Sequence, residues 1–135
     1  MANILFICKH NRFRSKYAEA IFKKLNKNKE YIAKSAGIIK GKYPLDKIQL
    51  EVGKKLGIRI KGQPQGLSTK LLIWANIIII VADDVPASIF SNMKKHGKKL
   101  IVWKIKDVSN NNEKDIEKII KKIEVKIKSL IKSLR

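Results

Sequence analysis

Ile4-Leu5-Phe6-Ile7-Cys8-Lys9-His10-Asn11-Arg12-Phe13-Arg14-Ser15 is the stretch that decides the fold. Four consecutive apolar residues read as a strand buried on both faces, ending in a cysteine. Beyond Ser15 the spacing changes. Tyr17, Ala18, Ile21, Phe22 and Leu25 recur at three- and four-residue steps, the period of a helix over residues 15–25. Ser15 or Arg14 stands at the helix start, where backbone N–H groups lack intrahelical partners and point outward. A thiol at a strand end, a short run of amides, a cation and a helix N-terminus together form a cup for a tetrahedral oxyanion. The same positive field favours Cys8 as a thiolate, the form that attacks.

Outward from this stretch, strands and helices alternate. Residues 3–8 form the first strand and residues 31–36 a looser second one, closed by Gly37. A loop over 37–43 with two glycines leads to Pro44, a favoured first residue of a helix. Leu45, Ile48, Val52 and Leu56 mark that helix's apolar face, and Gly57 stops it. Residues 61–66 are a Gly- and Pro-containing connection, and Ser68 caps a short helix reaching Trp74. Residues 77–81 are apolar throughout and read as a central strand. Asp83-Asp84-Val85-Pro86 opens a helix that ends at Gly97, with both acids as N-cap residues. Residues 100–105 form the fourth strand, with Asp107 at its end and the polar loop 109–112 after it. The last helix carries Ile116, Ile119, Ile120, Ile123, Ile127, Leu130, Ile131 and Leu134 on one face and lysines opposite. That face is expected to cover the sheet, although a basic amphipathic helix also suits a membrane surface or a partner.

This alternation means an α/β fold, a small doubly wound parallel sheet of four strands with helices on both faces. Ligands in such sheets bind beyond the carboxyl ends of the strands. The residues there are 8–14, 37–43, Asp83-Asp84 and Asp107, so the cysteine, the arginine and the candidate acids converge on one edge.

Composition sets the remaining bounds. A chain of 135 residues is read as one domain over 1–135, large enough for a core without disulfides or metals. Lys and Arg number 31 against 11 Asp and Glu, a formal charge of +20. The lysines are dispersed along the whole chain, so the charge reads first as solvated faces. It also leaves room for steering of anionic substrates and nonspecific attraction to nucleic acid or phospholipid. A single cysteine excludes an intramolecular disulfide and suits a reducing compartment, so a cytoplasmic location is expected. No signal peptide is evident, and the apolar run 71–82 is too short to span a bilayer, so no membrane association is expected. One cysteine and two histidines cannot build a standard transition-metal site. No Walker or dinucleotide-binding glycine pattern occurs, so no cofactor is expected.

Cys8-x5-Arg14-Ser15 directly after a first strand, with Asn11 in the loop and Ala18-Glu19-Ala20 beyond, resembles the low-molecular-weight protein tyrosine phosphatase superfamily, which includes the thioredoxin-coupled arsenate reductases. The likeness continues through Ser35-Ala36-Gly37, the helix ending near Leu56-Gly57-Ile58 and an Asp after the last strand. It implies strand order 2-1-3-4 and phosphate monoester hydrolysis through a phosphocysteine. Cys8 would be the nucleophile, Arg14 the clamp on two phosphate oxygens, Ser15 the support for the departing thiolate, and Asp107 the acid that protonates the leaving oxygen. Lys9, His10, Asn11, Arg12 and Phe13 would surround the substrate through the loop amides, with Asn11 holding the loop's strained shape and Tyr43 forming one wall.

Three departures stand out. Val108 replaces the proline that relatives usually carry after the acid, which predicts a carboxyl held less rigidly. Ser109-Asn110-Asn111-Asn112 stands where phosphotyrosine phosphatases often place aromatic residues. Phe13 replaces a cysteine that many relatives carry beside the arginine, so an oxidised Cys8 would lack a disulfide partner. The expected substrate is a phosphorylated protein or a small phosphate monoester. Two alternatives stay open. One is an arsenate reductase that uses an external thiol, the other a noncatalytic anion- or nucleic-acid-binding module. The sequence leaves the oligomeric state undetermined.

Overall fold

A computed structural model describes residues 2–39, 41 and 44–134. Four strands, β1 (Ala2–Cys8), β2 (Tyr31–Gly37), β3 (Ile77–Val81) and β4 (Lys99–Trp103), form one sheet in the order β2-β1-β3-β4. Every pairing is parallel, with Ile4 opposite both Ala33 and Ile77, and Ile77 opposite Lys99. The helices among the described residues are α1 (Arg14–Leu25), α2 (Lys47–Lys55), α3 (Thr69–Trp74) and α4 (Glu113–Ser133), with a 3₁₀ segment over Ala87–His96.

The alternation of side chains along β1 divides the core in two. Ile4 and Phe6 face a cluster shared with α1 and α4, whereas Leu5 and Ile7 face a smaller one under α3 and the 3₁₀ segment. All four are fully buried, the reason this run lacks any polar alternation. On the first face, Phe6 lies 6.0 Å from both the Phe22 and Trp103 rings. From α4, Ile116, Ile120, Ile123, Ile127 and Leu130 enter the same cluster, each burial worth about 1.5–3 kcal/mol. The apolar face of α4 therefore packs inward, against α1 and α2 as well as the core over the sheet.

Three boundaries differ from the sequence reading, and each difference shapes the upper edge of the sheet. Helix α2 begins at Lys47 with Asp46 as its cap, accepting from the Gln49 amide at 3.0 Å. Pro44 therefore lies outside the helix. The buried face of α2 is Gln49, Val52 and Gly53, while Ile48 is exposed. Gly57 does end it, as the left-handed residue (φ 79°) of a Schellman turn. There the Ile58 amide bonds the Gly53 carbonyl at 2.8 Å and the Gly57 amide the Lys54 carbonyl at 3.0 Å. The segment after β3 is 3₁₀ rather than α-helical and starts only at Ala87, broken at Phe90. Strand β4 stops at Trp103, because the Ile105 amide turns back onto the Trp103 carbonyl at 2.8 Å. Asp107 thus sits out on a loop.

Candidate active site

Cys8 is the last residue of β1 and Arg14 the first of α1, so the loop between them spans the sheet edge. Phe13, at the helix cap position, offers no side-chain bond to the first turn. The backbone N–H groups of Lys9, Asn11, Phe13 and Arg14 donate to no carbonyl among the described residues. Unspent donors at a helix start are what an oxyanion needs.

Asn11 holds the loop in shape. It takes a left-handed backbone (φ 58°), which asparagine tolerates better than most side chains, and it is completely buried. Its amide nitrogen donates to Ser15 Oγ at 2.8 Å and Ser35 Oγ at 2.9 Å, and its oxygen accepts from the Gln65 amide at 2.9 Å. The Ser35 hydroxyl in turn donates to Glu19. Because Ser15 Oγ already accepts from Asn11, its own proton is available to the Cys8 sulfur, 2.9 Å away. Gly37 lies beneath the loop. A Cβ there would stand 2.6 Å from the His10 carbonyl carbon and 2.8 Å from the Asn11 nitrogen, so only glycine lets strand β2 pass.

Arg14 is 2% exposed, and a buried guanidinium needs partners. Its Nη1 donates to the Ile105 carbonyl at 3.0 Å. Its Nη2 lies 2.9 Å from one Asp84 oxygen and 3.2 Å from the other. Asp83 and Asp107 approach to 3.7 Å. Asp83 and Asp84 are therefore not helix caps but counter-charges to the arginine. Their position just past β3 was the signal for this, and the proline two residues on pointed instead to a cap.

Asp107 is half-exposed beside Arg14. Its other oxygen accepts from the Val108 amide at 2.9 Å, a bond that proline could not supply. The expected loosening of this carboxyl is thus offset by a hydrogen bond of its own.

Cys8, Arg14 and Asp107 line one open cavity of about 260 Å³. His10, Arg12 and Phe13 reach it from the loop, and Asp46, Gln49, Val108, Ser109 and Asn111 close the far side. Arg12 Nε also donates to the Pro44 carbonyl at 2.9 Å, and Phe13 is buried edge-on against Tyr17, with centroids 5.4 Å apart. Lys9 does not line the cavity, although its carbonyl accepts from Ile39 at 3.0 Å. Tyr43 lies outside the described residues. Burial pushes the Asp46 carboxyl up. The Gln49 amide, the Asn111 side chain, the Ile48 amide and the Arg12 charge outweigh this and hold it below its ordinary value. Sequence reasoning missed Asp46, Gln49 and Gln65, which only tertiary folding brings here. Among the described residues, no three His, Cys, Asp or Glu side chains are gathered to ligate a metal ion.

A family model, low molecular weight phosphotyrosine protein phosphatase, matches residues 3–135. The chain belongs to this family. Its fold is that of the low molecular weight protein tyrosine phosphatase from T. tengcongensis, to which it is 25% identical over 98% of this chain and 99% of that one, with a TM-score of 0.85. The YwlE arginine phosphatase from Geobacillus stearothermophilus is similar at 20% identity, 99% and 93% coverage and a TM-score of 0.85. An arsenate reductase from Archaeoglobus fulgidus shares the fold at 24% identity, 95% and 98% coverage and a TM-score of 0.73. No curated protein sequence matches the chain. Among the described residues, no helix is long and apolar enough to cross a membrane.

Proposed function

We propose that this protein is a cysteine-dependent phosphatase that hydrolyses phosphotyrosine or a similar phosphate monoester through a phosphocysteine intermediate. The supporting observation is one cavity shared by a sulfur under a serine hydroxyl, a buried arginine and a half-exposed carboxyl. The dianionic phosphoryl group settles on the amides of the 9–14 loop, with the Arg14 fork on two of its oxygens. Cys8 Sγ attacks phosphorus in line, and the P–O bond to the leaving group breaks as Asp107 gives that oxygen a proton. Asp107 then takes a proton from water, whose oxygen attacks the phosphocysteine. Phosphate leaves, and the Ser15 hydroxyl receives the departing thiolate. Asn11 and Gly37 act by positioning the loop.

A second reading, hydrolysis of phosphoarginine, is favoured by the character of the far wall. On that wall Asp46, Gln49 and Asn111 offer acceptors to a guanidinium, and none of its described residues carries an aromatic ring. The deciding experiment is turnover of p-nitrophenyl phosphate, phosphotyrosine and phosphoarginine by the wild type, Cys8→Ser and Asp107→Asn. Vanadate-sensitive hydrolysis lost in Cys8→Ser is expected, with Asp107→Asn most impaired on the poorest leaving groups. Arsenate-dependent oxidation of an added thiol, without hydrolysis, would mean a reductase instead. Salt-dependent polyanion binding that survives Cys8→Ser, with neither activity, would mean a binding module.

A further inference from the structure

Between α1 and the end of α2 lies a second cavity of about 620 Å³, sharing no lining residue with the cavity of about 260 Å³ at Cys8. Six of its lining residues are cations: Lys16, Lys23 and Lys24 from α1, Lys54 from the end of α2, and Arg59 and Lys61 from the chain that follows. Glu19 is its one acid, and that carboxylate is already held by Lys23 at 2.6 Å and by the Ser35 hydroxyl. Ala20, Gly57 and Ile58 complete the lining between the charges.

Dispersed lysines on a chain of charge +20 do not by themselves make a site, but two features separate this cleft from a solvated face. It is concave and of the size that encloses small organic ligands. It also contains Lys16, only 5% exposed, whose ammonium bonds the Lys61 carbonyl at 3.3 Å and no carboxylate among the described residues. Burial pushes the Lys16 pKa down, with the Glu19 charge opposing and Lys23 adding to the effect. A desolvated ammonium that also feels the Lys23 charge, in a cleft lined by five further cations, carries an electrostatic cost that a bound polyanion would relieve.

We infer that this cleft binds an anion carrying a chain of two or more phosphates, at a site separate from the Cys8 cavity. A single phosphate offers few oxygens to six lining cations, whereas a phosphate chain can meet several at once. Such a chain occurs both in nucleoside di- and triphosphates and in inorganic polyphosphate, and the apolar residues at Ala20 and Ile58 leave room for either.

Backbone amide NMR titrations with inorganic tripolyphosphate, ATP and AMP test this. Tripolyphosphate or ATP is expected to shift the Gly57, Ile58 and Lys61 amides in a saturating way, separately from those of Asn11 and Phe13, with AMP about tenfold weaker or more. Tighter binding of ATP that also shifts Ala20 would identify a nucleotide, and equal binding a bare phosphate chain. Lys54→Glu with Arg59→Glu, both exposed, should weaken the cleft response about tenfold or more. Lys126→Glu with Lys128→Glu on α4, an equal change of charge, should alter it less than about twofold. Shifts confined to the 9–14 loop, or equal losses in the two double variants, would overturn the proposal.

Discussion

The two proposed anion sites, the cup at Cys8 and the lysine cleft, are built in opposite ways. In the cup the one deeply buried cation, Arg14, is answered by Asp83, Asp84 and Asp107 and by the Ile105 carbonyl, at 2.9–3.7 Å. Asn11, Ser15 and Ser35 have hydrogen-bond partners, so the donors that face the cavity are fixed before any ligand arrives. In the cleft the positive charges stand mostly on exposed lysine stems, with one acid among them. Charge alone produces attraction. A reaction needs groups that do not have to reorganise as charge develops. Helix α1 serves both regions, giving Arg14 and Ser15 to the cup and Lys16, Glu19 and Lys23 to the cleft.

The sharpest way to break the contrast is Arg14→Lys. It keeps the charge but removes the planar fork, and turnover should fall about 10²–10³-fold. A loss within about twofold would mean that the cup, like the cleft, works by charge alone. Next is Gly37→Ala, which adds no charge and touches no ligand. Its Cβ collides with the His10 and Asn11 backbone, so the loop must move. A loss of about a hundredfold in kcat is expected, since displacements near 1 Å have that effect.

That pair also shows where sequence was enough. Cys8, Arg14 and Ser15 declare themselves because a strand, a short loop and a helix start are local events read from periodicity. Ser35-Ala36-Gly37 stood out only through the family resemblance, and the structure supplies a physical reason for it: Ser35 holds Asn11 and Gly37 lets the loop pass. What could not be read was pairing across long separations. Asp84 meets Arg14 across 70 residues and the Gln65 amide meets Asn11 across 54, and no local pattern encodes either. The 3₁₀ segment and the early end of β4 escaped for a related reason. Pro86 and the apolar Ile105 match a helix start and a strand residue, whereas turns of the backbone around Trp103 and Pro86 fix the outcome.

Smaller effects sharpen how α1 is held between the two regions. Tyr17 donates to the Gln49 carbonyl at 2.5 Å, and a Cβ at Gly53 would lie 2.0 Å from its hydroxyl oxygen. Gly53→Ala should therefore destabilise the protein by about 1–3 kcal/mol in urea unfolding, through overpacking between α1 and α2. The smallest effect is a titration. Burial, only partly opposed by a backbone hydrogen bond from Gly53, raises the Tyr17 pKa from 10.0 to about 12. A raised acid pKa contributes stability in full below the unfolded value and loses it as pH rises through the folded one. Ultraviolet titration of the folded protein should show Tyr17 ionising near pH 12, with its stabilisation lost over pH 10–12.

The central claim is that the Cys8 sulfur forms a bond to phosphorus. Acid quenching of the enzyme during p-nitrophenyl phosphate turnover, followed by peptide mass spectrometry, tests it directly. One phosphoryl group on the peptide containing Cys8, absent from Cys8→Ser, is the predicted result. Steady turnover with that peptide unmodified, or the phosphoryl group on another residue, would contradict it.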